Sequence, residues 1–163
     1  MGREIRRVPA NWQHPREERY GRTDFKPLYG RNYAKEAQEW VDNCVAWSRG
    51  EHKDQKDDSG TKYKYFWEWT GNPPDPEYYV PYDPDALGDD AWFQLYETVS
   101  EGTPCTPPFP TAREVAEYLI ANGDRFYASG ERRPWSRAAA EGLVKEGWAP
   151  SMIISGGKIF TPE

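Results

Sequence analysis

Asp83, Asp85 and Gly88 stand at positions one, three and six of a run that imitates the start of a calcium-binding loop. The rest of that loop is missing. Leu87 occupies the fifth position, and Gln94 stands at the twelfth, where a bidentate glutamate is needed. The run therefore reads as a solvated acidic turn. Cys44, Cys105, His14 and His52 are scattered without the paired spacing of a zinc site. Cys44 falls on the apolar stripe of a predicted helix and reads as a buried structural thiol. Cys105 lies in a proline-rich loop, where a thiol can be exposed, but no base is near it in sequence. Ser136 is explained as a helix cap. There is no G-x-S-x-G, no G-x-x-x-x-G-K and no G-x-G-x-x-G. The sequence predicts no catalytic residue, no metal and no cofactor.

Binding chemistry is better represented. From Glu68 to Thr103 there is no Lys or Arg, against nine acids. Prolines and aromatics are threaded through them. Tyr78, Tyr79 and Tyr82, with Asp83, Asp85, Asp89 and Asp90, are the predicted partner-binding residues: rings to anchor and carboxylates to steer. The partner implied is a protein with a basic surface. Residues 1–31 have the opposite character, with a net charge of +4. Arg6, Arg7, Trp12, Arg19 and Arg22 form the alternative set, able to hold phosphate and stack on a base or nucleotide. Acids interleave with them, and the whole chain carries −6, so nucleic acid is the weaker expectation. The preferred expectation is that these arginines pair with the 68–103 acids inside the molecule.

The elements that must position these groups are only partly regular. Residues 1–31 read as irregular, with a short edge strand at Ile5–Val8 ended by Pro9. Asn32 to Arg49 is a helix with a stripe of Ala34, Ala37, Val41, Cys44 and Val45, and Gly50 follows as a stop. Residues 51–62 read as a mobile charged loop. Tyr63 to Trp69 alternates, so Tyr63, Tyr65, Trp67 and Trp69 are expected on the core face of a strand. Prolines from Pro73 to Pro84 forbid regular structure. Trp92 to Ser100 reads as a second strand, antiparallel to the first. Thr111 and Glu114 form a capping box that opens a helix ended by Gly123. Ser136 caps a third helix ended by Gly147. Two apolar runs around Gly156-Gly157 spell a hairpin. The prediction is an α+β protein: one compact domain over residues 1–163, with a small antiparallel sheet, about three helices and long proline-rich ordered loops.

With 163 residues the chain can bury a sizeable core. Hydrophobic content is only 37%, while aromatics reach 15%, so large rings must build that core and some must remain outside it. No stretch is long or apolar enough to span a bilayer. No apolar run follows the basic N-terminus, and Arg6 breaks the myristoylation pattern. Two cysteines make no disulfide framework. The expected setting is a reducing cytoplasm with both thiols free and no membrane contact.

The strings REIRRVPANWQHP, YFWEWTGNPPDPEYY, YETVSEGTP and PWSRAAAEGLVKEGWAPSM resemble those of a family of small proteins encoded in tailed-phage and prophage genomes. The resemblance covers most of the chain, with 51–62 and 124–133 as variable parts. It implies action in the host bacterial cytoplasm and carries no catalytic residue across. In that setting the acidic aromatic block implies a binding protein of the anti-defence kind, acting on a host complex. Three further readings stand beside it. One is a nucleotide or nucleic-acid binder using residues 1–31. Another is a small enzyme with Cys105, Tyr127, Glu131, Arg132 and Arg133 as its polar groups. The last is a virion component.

Overall fold

A computed structural model of the chain describes residues 2–56, 62–99, 102–125, 132–150, 153–155 and 158–160. The elements run β1 (Gly2–Val8), β2 (Arg16–Arg19), β3 (Arg22–Phe25), α1 (Tyr33–Ser48), α2 (Lys53–Lys56), α3 (Phe66–Thr70), β4 (Trp92–Glu97), β5 (Thr103–Pro104), α4 (Ala112–Asn122), β6 (Asp124–Arg125), β7 (Arg132–Arg133), α5 (Arg137–Glu146), β8 (Trp148–Pro150), β9 (Ile153–Ser155) and β10 (Lys158–Phe160). This is α+β with a small antiparallel sheet. The chain divides into two compact units, residues 1–30 with 84–163, and residues 31–83.

The first unit carries a four-stranded antiparallel sheet in the order β5-β4-β1-β8. Ile5 lies opposite Leu95 and Arg3 opposite Glu97. Alternation then sends Ile5, Phe93 and Leu95 to one face, where Val115, Leu119, Ala140 and Leu143 of α4 and α5 cover them. Both helices begin as expected. The Thr111 hydroxyl accepts from the Glu114 amide (3.2 Å), and the Glu114 carboxylate accepts from the Thr111 amide (2.9 Å). Ser136 Oγ accepts from the Ala139 amide (3.3 Å). Gly147, at φ 72°, ends α5 in the left-handed region that glycine tolerates.

Two expectations for the N-terminal segment need correction. β1 begins at Gly2 and is interior over Gly2–Glu4, which pair with β8, while Arg6–Val8 pair with β4 alone, as an edge would. Pro9 lies beyond its end, so every amide of the ladder is available. Residues 16–25, expected to be irregular, form a hairpin whose Tyr20-Gly21 turn has positive φ at both residues (50° and 72°), the backbone of a type I′ turn. The expected C-terminal hairpin is present as the pairing of β9 with β10. Its Gly156-Gly157 turn lies outside the described residues.

The second unit is organised by rings. Trp47 of α1 packs on Phe66 of α3 (centroids 5.6 Å apart) and on His52 (5.3 Å). Its indole N–H donates to the Tyr63 carbonyl (3.3 Å). Trp69 Nε1 donates to Asp54 (3.0 Å). The predicted loop at 51–62 is thus partly structural. It includes α2 and a buried His52, while 57–61 lie outside the described residues.

Tyr63–Trp69 is not a strand. Among the described elements β4 has both edges taken, by β1 and β5, and offers this segment no partner. Glu68 accepts from the amides of Lys64 (2.9 Å) and Tyr65 (3.0 Å), closing the first turn of a helix. Helical spacing sends Phe66 and Trp69 inward and leaves Tyr65 and Trp67 outside, 46% and 51% exposed. The stripe of α1 is also rotated from its predicted phase. Tyr33, Ala37, Trp40, Cys44 and Trp47 face inward, whereas Val41 and Val45 are exposed.

Candidate functional site

The predicted alternative residues near the N-terminus are held by the first unit's own structure. Arg6 lies on the face of the sheet away from α4 and α5. It stacks over the Tyr96 ring (4.5 Å), pairs with Glu4 and donates to the Leu28 carbonyl (2.7 Å). Gly102 makes room for it. At φ 105°, a Cβ there would collide with both the Leu28 carbonyl and the Arg6 guanidinium. Arg7 donates to the Gly88 carbonyl (2.6 Å), and Arg19 pairs with Glu17. Trp12 is half-buried, edge-on to His14 (6.1 Å). Arg22 lines a cavity of about 270 Å³ with Asp24, Phe25, Glu97, Thr103 and Cys105.

Beside that cavity the sheet buries a charge cluster. Arg3 is 3% exposed, and it donates to Asp124 (2.5 Å) and Glu97 (3.2 Å). Trp135 Nε1 donates to the other Asp124 oxygen (3.3 Å). Burial acts to lower the Arg3 pKa, but Cys105, Asp124 and Glu97 outweigh it and hold it raised. This arginine's bridge to Glu97 follows the expected pairing with the 68–103 acids, while Arg6, Arg19 and Arg31 pair with Glu4, Glu17 and Glu36. Of the two cysteines, Cys105 departs from expectation. Cys105 is buried, and Cys44 is half-buried with its thiol pushed up by burial.

On the other face of the sheet His14 is also buried. Its Nε2 meets the Lys26 carbonyl (2.7 Å) and its Nδ1 meets the Tyr96 hydroxyl (3.2 Å). Tyr96 donates to Gln94 (2.7 Å), which donates to the Thr106 carbonyl (2.7 Å). Burial lowers the His14 pKa, the Lys26 carbonyl opposes it, and Arg6 lowers it further. These contacts stabilise a fold and present no group to a substrate.

The second unit arranges its predicted residues differently. Asp75 caps a 3-10 turn, Pro76–Tyr78, by accepting from the Glu77 amide (2.9 Å). The prolines prevent a helix from continuing and stiffen the segment. Tyr78 stands out from the turn, 45% exposed, and the Asp75 and Glu77 that precede it are exposed as well. Tyr79 and Tyr82 turn the other way, into a groove of about 320 Å³. Tyr33, Pro76, Pro81 and Asp83 are among its other lining residues. The Tyr33 and Tyr79 rings meet edge to face, 5.5 Å apart. Burial pushes the Tyr79 phenol up, Glu36 pushes it the same way, and Arg31 opposes them. Tyr33 was not singled out by sequence. Its signal is its place directly after the Asn32 cap, which accepts from the Lys35 amide (3.2 Å).

Asp85, Asp89 and Asp90 belong to the first unit and are exposed there, Asp85 within a second 3-10 turn, Pro84–Ala86. Arg132 and Arg133 pair with β6 through β7, while Tyr127 and Glu131 lie outside the described residues. Among the described residues no group of three or more His, Cys, Asp or Glu is placed to hold a metal ion, and no helix is long and apolar enough to cross a membrane. No family model, curated protein or solved structure matches this chain.

Proposed function

We propose that this chain is a phage-encoded binding protein that occupies a basic surface of a host protein or complex, as an anti-defence inhibitor would, in the bacterial cytoplasm. The observation that carries this reading is the Pro76–Tyr78 turn. It holds one large ring outward, directly after the exposed Asp75 and Glu77 in the chain, and contributes little to a core. An exposed tyrosine on a stiff backbone loses little entropy on binding and can anchor an interface. Acids around it draw a basic surface into encounter and reject an acidic one. The resemblance to phage proteins supplies the host setting.

The test is capture from bacterial lysate with the immobilised full chain. The expected result is a retained basic protein, released as salt rises and screens the attraction. Reversing Asp75 and Glu77 to Lys is expected to abolish capture. Reversing Asp85, Asp89 and Asp90 in a separate variant shows whether the first unit's acids also steer. If nothing is retained at low salt, or if both reversed variants capture the same protein as well as the parent, the reading falls.

A further inference from the structure

The groove beside the Pro76–Tyr78 turn has a chemistry narrower than that of an acidic surface. Tyr33, Tyr79 and Tyr82 offer three aromatic rings, Pro76 and Pro81 give stiff walls, and Asp83 adds a carboxylate to the lining. No Lys or Arg is among the described lining residues. Two rings set at 63° to one another make a corner that presents a face as well as an edge. Ring faces carry the negative end of the aromatic quadrupole. A volume of about 320 Å³ lies at the small end of ligand sites, suited to one long side chain.

From this geometry we infer that the groove receives an arginine side chain of the partner, an inference that rests on the protein-binding reading above and names its recognition element. A guanidinium is planar and weakly hydrated. It stacks on a ring and hydrogen-bonds a carboxylate at the same time, which an ammonium does less well. A partner arginine would enter from the open side, with its methylenes along the prolines and its charge toward the Asp83 side of the lining.

The test uses the isotope-labelled full chain and four blocked tripeptides, Gly-X-Gly, with X as arginine, lysine, citrulline or norleucine. The arginine peptide is expected to shift the resonances of Tyr33, Tyr79, Tyr82 and Asp83 along a saturating curve. Citrulline keeps the shape without the charge and is expected to bind at least tenfold more weakly, as is norleucine. Tyr79→Leu is expected to weaken the arginine peptide about tenfold, while Tyr79→Phe, which keeps the ring, stays within about threefold. Tyr82→Leu is a second probe should Tyr79→Leu fail to fold. Equal binding of citrulline or norleucine, equal binding of lysine, or no shift in the groove overturns the inference. Its failure is distinguishable from that of the protein-binding reading. Capture lost in the Asp75/Glu77 reversal but unchanged in Tyr79→Leu and Tyr82→Leu sinks the groove alone. An arginine peptide that seats in the groove of a chain that captures nothing sinks the broader reading and leaves the groove's ligand chemistry standing.

Discussion

Residues 1–30 with 84–163 turn a few of their charges inward. Arg3 lies in the sheet with Asp124 and Glu97, Arg6 caps the Tyr96 ring, and His14 fills a buried hydrogen-bond chain. Residues 31–83 do the reverse with their rings. Trp47, Phe66 and His52 make a small core, and Tyr65, Trp67 and Tyr78 remain outside. A cluster of arginines in sequence looks like a surface for phosphate, and a run of alternating rings looks like a core. Here partners decide against both appearances. A charge with a buried counterion is architecture, and a ring without a covering element is available for recognition.

The largest effect expected from this contrast is at Asp124. Asp124→Ala removes the partner of a buried guanidinium and of the Trp135 indole together. Breaking a buried pair from one side costs about 3–5 kcal/mol. Urea unfolding should show a loss of that size, with Asp124→Asn losing less because it keeps an acceptor. A loss below about 1 kcal/mol would mean that Arg3 is not truly committed to the interior. Trp47→Ala applies the same pressure to the second unit. Deleting the ring that touches Phe66 and His52 should cost about 3 kcal/mol or more, read from the amide-exchange protection of α1. Protection that survives unchanged would show that the ring cluster is not that unit's core.

A smaller effect follows from His14. Its pKa in the folded chain is lowered, by burial first and by Arg6, from an ordinary value of 6.5. The unfolded chain therefore takes up the proton first as the pH falls. The stability that His14 contributes is fully present above about pH 6.5 and declines as the pH drops toward the lower folded value. One proton limits the slope to about 1.4 kcal/mol per pH unit. Unfolding midpoints between pH 8 and pH 5 should decline in the parent and flatten in His14→Gln. A parent whose midpoint rises on acidification would reverse the assignment.

The features legible in the sequence are those whose causes are local. Thr111 with Glu114, and Ser136, cap α4 and α5 because a cap needs only residues three apart. The bounds of α1 follow from Asn32 and from the left-handed Gly50, at φ 70°. The errors have distant causes. Tyr63–Trp69 has the period of a strand, yet a strand needs a free edge, and β4 has none among the described elements. Ala34, Val41 and Val45 have the period of a buried stripe, yet Trp40 and Trp47 are larger, and their burial rotates the helix by about one residue. Cys105 lies in a proline-rich stretch, but β5 brings it beside Leu95, whose carbonyl accepts its amide (2.7 Å). For the groove, prolines and tyrosines marked one wall in sequence. The other wall, Tyr33, is set by where α1 begins, which spacing within residues 72–90 does not contain.

The smallest effect on stability is also the one that separates the two regions most clearly. Tyr78→Ala removes a ring held outward by the Pro76–Tyr78 turn, whose cap is made by Asp75 and the Glu77 amide and not by the ring. Surface substitutions of this kind change stability by no more than about 0.5 kcal/mol, so the urea midpoint should not move measurably. Capture of a basic partner should nevertheless weaken by at least about tenfold, because truncating an anchoring tyrosine commonly costs an interface more than about 1–2 kcal/mol. Arg7→Ala makes the opposite substitution in the first unit, removing an exposed cation that donates to the Gly88 carbonyl. It should leave capture unchanged. If Tyr78→Ala unfolds the chain, its ring belongs to the architecture after all. If Arg7→Ala abolishes capture and Tyr78→Ala does not, the recognition surface lies in the first unit.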